Sequence, residues 1–120
     1  MMTTTATVKA IGPQAVSPDE PILILFDETA TASLQQIAVI QQFNAPLTSL
    51  SLHVGSTLKI DDQAYTMAYV GPLVGANLAT IGHATLYFTA VPAKPLANGI
   101  YLTPTNLPTI KVGSVITYEP

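Results

Sequence analysis

The 120-residue sequence has no cysteine, arginine or tryptophan, and it is poor in charge of either sign. Without cysteine it has no disulfide, no thiolate nucleophile and no Cys-based zinc site. Without arginine it lacks the bidentate fork that grips a phosphate. Lys9, Lys59, Lys94 and Lys111 are the only cations, scattered along a chain of net charge −3. That excludes the clustered basic surface on which nucleic-acid binding rests. Charged residues make up 9% of the chain, against about 25% in an average domain. So apolar-rich a composition argues against disorder, and it makes self-association, such as a homodimer, an expectation.

Long apolar runs are missing as well. The stretch ILILF at 22–26 falls far short of the roughly 18–20 residues of a membrane span. The opening MMTTTATVKAIG lacks a basic region followed by an apolar core, so no signal peptide is expected. The resulting expectation is one soluble, cytoplasmic, non-membrane-spanning domain over residues 1–120.

What is present is β pattern. Thr, Val, Ile and Tyr are abundant, in short apolar or alternating segments separated by Gly, Pro, Asn and Asp. Strands are expected near 4–11, 21–27, 37–43, 56–60, 64–70, 84–90, 99–103 and 114–118. Asp61-Asp62-Gln63 is a hairpin signal, and the prolines between 92 and 108 make a long helix there untenable. One or two short helical turns are expected, with two candidate places. One lies at 29–36, with Thr29 or Thr31 as N-cap. The other lies at 75–82, with Asn77 as N-cap and Gly82 as a left-handed end. The fold class is therefore all-β, a small barrel or sandwich, with exposed sheet edges as a second route to a dimer.

HVGSTLKI (53–60) and KVGSVITY (111–118) echo one another. Gly55 and Gly113 permit a positive-φ turn that feeds an alternating strand. Two glycine turns of this shape also arise by chance, and chance takes the larger share over an internal symmetry.

His53 and His83 are the only imidazoles. They have no H-x-H or H-x-x-x-H spacing, and the carboxylates show no spacing that would aim two of them into one cleft. The chain also lacks a nucleophile elbow, a P-loop and a dinucleotide-binding glycine motif. No metal site or cofactor is expected. His53 precedes Val54-Gly55 and reads first as an exposed loop histidine. His83 opens the segment ATLYF, and a carbonyl-bonded strand-entry residue and a pocket residue stand open for it. IAVIQQF ends an apolar strand in Gln41 and Gln42, amides that are neither nucleophiles nor proton carriers.

The segment NLATIGHATLYF (77–88) resembles the N-L-x-x-L-G-H-x-T-L-x-F block of glucitol/sorbitol-specific IIA components of the bacterial phosphotransferase system. The likeness runs on through ILILFDETATASLQQIAVI, SLHVGSTLKIDDQAYTMAYVG and PTIKVGSVITYE, in family order and over nearly the whole chain. The resemblance implies a barrel-like phosphocarrier that takes a phosphoryl group from HPr onto a histidine. It then passes the group to the IIB part of a sugar permease. The resemblance also places the family's phosphorylated histidine at the end of the second strand, where this chain has Gln41. Two readings follow. The acceptor has moved to His83 or, less favoured, His53. Or the chain is a phosphorylation-incompetent regulator or scaffold, its Gln41 amide bonding where an imidazole would. Donors for the transferred group would be backbone N–H groups, hydroxyls such as Thr85, or a lysine.

Overall fold

A computed structural model describes residues 3–45, 47 and 50–120. Eight strands and two short helices follow one another as β1 (Thr4–Ile11), β2 (Ile22–Phe26), α1 (Ala32–Ile37), β3 (Val39–Phe43), β4 (Thr57–Ile60), β5 (Gln63–Val70), α2 (Val74–Ile81), β6 (Ala84–Tyr87), β7 (Gly99–Thr103) and β8 (Val115–Glu119). The strands close into a barrel in the order β1-β3-β2-β6-β7-β5-β4-β8. All eight expected strands are present. The segment expected at 37–43 starts two residues later, because Ile37 closes α1, and the one expected at 84–90 stops at Tyr87.

Alternation explains the wall. In β2, β4 and β8 every second residue faces inward, so Leu23, Leu25, Leu58, Ile60, Ile116 and Tyr118 meet in the core while their neighbours face outward. Closure leaves no open sheet edge among the described strands, which removes the edge-pairing route to a dimer and leaves only low charge in its favour.

The helices are held differently. Thr31 caps α1, its hydroxyl accepting the Leu34 N–H at 3.3 Å. The cap expected at Asn77 is incorrect. The N-cap residue is Leu73, four positions earlier and with no side-chain cap, and Asn77 instead lends its carbonyl to the helix end, where it accepts the His83 N–H at 3.2 Å. Gly82 ends α2 in the left-handed conformation at φ 63°, as expected.

The barrel carries an approximate two-fold, so the larger share given to chance is overturned. In each half the third strand lies between the first two, antiparallel to one and parallel to the other. β3 sits so between β1 and β2, and β7 between β5 and β6. Both antiparallel ladders break register at matching places, Val8/Ala10 and Met67/Tyr69. The echoed turns match bond for bond. Gly113 N–H donates to Val8 O and Val8 N–H to Ser114 O, each at 2.8 Å. Gly55 N–H donates to Met67 O and Met67 N–H to Ser56 O, also at 2.8 Å. Both glycines sit at φ 94°. The register thus relates β8, β1, β2 and β3 to β4, β5, β6 and β7, Val8 to Met67, Leu25 to Leu86 and Val39 to Ile100.

Candidate functional site

Gln41 lies on β3 opposite Val8, next to the register break in β1. Its side chain points into the barrel and is 0% exposed. Both ends of the amide are engaged: Nε2 donates to the Gly82 carbonyl at 2.9 Å, and Oε1 accepts the Tyr118 hydroxyl at 2.8 Å. Burial pushes the Tyr118 hydroxyl far above its ordinary pKa, and the bond to Gln41 opposes that only in part. This cluster therefore carries neither a nucleophile nor a group that titrates near neutrality.

The two-fold shows why an amide stands there. The positions related to Gln41 and Tyr118 are Leu102 and Ile60, both apolar, so the fold itself does not require a polar pair. The carbonyl related to that of Gly82 belongs to Pro21, and it accepts the Phe88 N–H at 2.8 Å. On the Gly82 side the equivalent donor, Asp27 N–H, bonds the Ile81 carbonyl instead, at 2.9 Å. The left-handed turn at Gly82 thus frees a buried carbonyl, and the Gln41 amide satisfies it.

His83 follows directly. The β2–β6 register, which ends at Leu25 opposite Ala84, sets His83 across from Phe26 on the outer wall. The two rings stack with centroids 4.2 Å apart. His83 Nδ1 lies 3.0 Å from the Leu25 carbonyl, and the Asn98 amide nitrogen lies 2.9 Å from Nε2. A carbonyl only accepts, so Nδ1 carries the proton and Nε2 presents its lone pair to the Asn98 N–H. The imidazole is half-buried, and the Leu25 bond with the stack on Phe26 fixes its tautomer and plane. Gln41 and His83 do not line a common pocket: one points inward, the other lies outside, and Gly82 joins them, so the shared pocket expected for an acceptor moved from position 41 to His83 is not formed.

His53 is exposed, and its contacts are local. Its Nδ1 lies 3.2 Å from Val54 O and 3.4 Å from Ser56 Oγ, within its own turn. Thr85 shares the outer face of β6 with His83 but is buried. Lys59 pairs with Glu119 at 3.3 Å. The sequence reading missed Asn98 and Tyr118. Asn98-Gly99 reads only as a turn signal, and Tyr118 as one more inward residue of an alternating strand. No group of three or more His, Asp or Glu that could hold a metal ion occurs among the described residues. Nor is any of their helices long and apolar enough to cross a membrane.

The comparisons agree with this architecture. The family model for the PTS system glucitol/sorbitol-specific IIA component matches residues 3–117. The crystal structure of a PTS system IIA component from Enterococcus faecalis V583 is similar at a TM-score of 0.91 and 43% identity, covering 97% of this chain and 99% of that one. The comparison with curated proteins gave no match. A match over nearly every strand of the barrel, by sequence pattern and by backbone alike, places the chain in the glucitol/sorbitol-specific IIA family of the phosphotransferase system.

Proposed function

We propose that this chain relays a phosphoryl group from HPr to the IIB part of a sugar permease in the cytoplasm, with His83 Nε2 as the acceptor. The fixed tautomer of His83 carries the reading. Leu25 O holds the proton on Nδ1, so the lone pair stands on Nε2 of a half-buried imidazole on the outer wall. Position 41 offers the opposite: an amide with no exposure and both polar ends spent. In the transfer, the Nε2 lone pair attacks phosphorus while the donor's N–P bond breaks and its electron pair returns to the donor imidazole. Nδ1 is already protonated, so no proton has to leave His83. Neighbouring donors handle the developing charge, as in phosphoryl transfer generally.

The test is incubation with enzyme I, HPr and labelled phosphoenolpyruvate, followed by mapping of phosphohistidine and chase onto a IIB domain. Label on His83, abolished by His83→Ala and unaffected by His53→Ala, is the expected result. Absence of label sinks the reading.

A second reading is a phosphorylation-incompetent paralogue that docks on the same partners as a regulator or scaffold. The observation in its favour is that Gln41 is built into the core while His83 faces away from it, with Nε2 covered by the Asn98 amide. In the same assay this reading expects binding to HPr or IIB without label.

A further inference from the structure

We propose that Asn98 is a catalytic residue of the relay: its side-chain N–H covers the Nε2 lone pair of His83 in the resting state and moves to a phosphoryl oxygen during transfer. This rests on the reading of His83 as acceptor. Three observations carry it. The Asn98 amide nitrogen lies 2.9 Å from Nε2, the one ring nitrogen that carries a lone pair when Nδ1 holds the proton. The chain has no arginine, and among the described residues the Asn98 amide is the one side-chain donor hydrogen-bonded to that atom.

The third observation is the barrel's internal comparison. The two-fold that relates Leu25 to Leu86 relates Ile22 to His83. The same relation takes Ala38 to Gly99, since Gly12 N–H bonds Ala38 O at 3.0 Å and Gly71 N–H bonds Gly99 O at 2.9 Å. It therefore takes Ile37 to Asn98. Where one half has the His83–Asn98 pair, the other has Ile22 and Ile37 lining an open groove. The fold is satisfied by two aliphatic side chains at these positions, so an imidazole and an amide in hydrogen-bond contact are not a packing requirement.

The bonds balance without further reactants. The Asn98 N–H leaves Nε2, and the lone pair it covered forms the N–P bond as the donor's N–P bond breaks. The freed amide N–H then meets an oxygen that gains charge in the transition state.

The experiment measures the rate of His83 phosphorylation by phospho-HPr in the full chain and in Asn98→Ala and Asn98→Asp. Asp keeps the side-chain shape but has no donor. The ¹⁵N shifts of His83 and the thermal midpoint are recorded beside it. Asn98→Ala is expected to slow phosphorylation about 100-fold, the usual loss for one positioned donor, with the Nδ1–H tautomer and the midpoint retained. Asn98→Asp should lose more. Equal rates in the wild type and both variants overturn the proposal and leave the acceptor reading standing. Slowing in step with loss of the tautomer or a fall in the midpoint also overturns it, assigning Asn98 to structure. An unlabelled wild type overturns both.

Discussion

The Tyr118 hydroxyl donates to Gln41 Oε1 at 2.8 Å inside a barrel whose two-fold-related positions hold Ile60 and Leu102. The pair is thus an asymmetric polar insertion, coupled through Gln41 Nε2 to the Gly82 carbonyl one residue from His83. Through that bond Gln41 fastens the turn that presents the imidazole.

Gln41→Leu matches the volume but leaves the Tyr118 hydroxyl and the Gly82 carbonyl buried without partners. Each orphaned group costs about 1–3 kcal/mol, so a loss of about 2–6 kcal/mol is expected in urea unfolding. Gln41→Leu/Tyr118→Phe should recover roughly half, because the hydroxyl is then gone as well. A single variant as stable as the parent would mean that the network contributes nothing.

Gln41→His restores the residue that the resemblance expects. Because the position is sealed, the variant should still take label on His83 and none at position 41. Peptide mapping after phosphorylation checks this, and label at position 41 would show that partners reach inside the barrel.

Gly82, Gly55 and Gly113 all adopt positive φ but differ in their surroundings. A Cβ on Gly55 or Gly113 meets nothing within 4 Å, so Ala there should cost only backbone strain, about 1–2 kcal/mol, and equally at both turns. A Cβ on Gly82 falls 2.7 Å from Asp27 Cβ and 2.9 Å from its backbone nitrogen. Gly82→Ala should therefore cost clearly more and perturb the His83 ring shifts. Chemical denaturation with ¹⁵N spectra separates the three.

Asp61 accepts the Val115 N–H at 3.0 Å and the Ser114 hydroxyl at 2.8 Å. These bonds, with a smaller pull from Lys111, hold its carboxyl below the ordinary value of 3.8 against a weaker opposing effect of burial. A depressed folded-state pKa contributes stability that is present above 3.8 and is lost as pH falls through the lower folded value. The stability difference between the parent and Asp61→Asn should therefore be constant near neutrality and vanish in strong acid. A difference that persists there would assign the effect to packing.

The strands were legible because alternation and glycine turns are local signals, as in TLKI and VITYE. The cap at Asn77 was misread because α2 starts on Val74 with no side-chain cap, and packing of Val74 and Leu78 into the core overrides local preference. The burial of Gln41 could not be read, because it depends on Tyr118, 77 positions away, and on a carbonyl released at Gly82. Asn98 was equally hidden, since its contact with His83 arises only where the end of the loop before β7 meets the start of β6. The repeat was visible in HVGS and KVGS, but register, not spelling, distinguishes it from coincidence.

The same register governs how the chain matures. β1 pairs with β8, so the first of the eight strands completes its ladder only after the eighth has been made. Until then the nascent molecule exposes the flank of β1 that β8 will cover, and the half built from β8, β1, β2 and β3 cannot assemble ahead of the other. Barrel closure is therefore a late event, and it rests on distant pairings that form slowly by comparison with local contacts. Its unfinished edge is where a chaperone would bind.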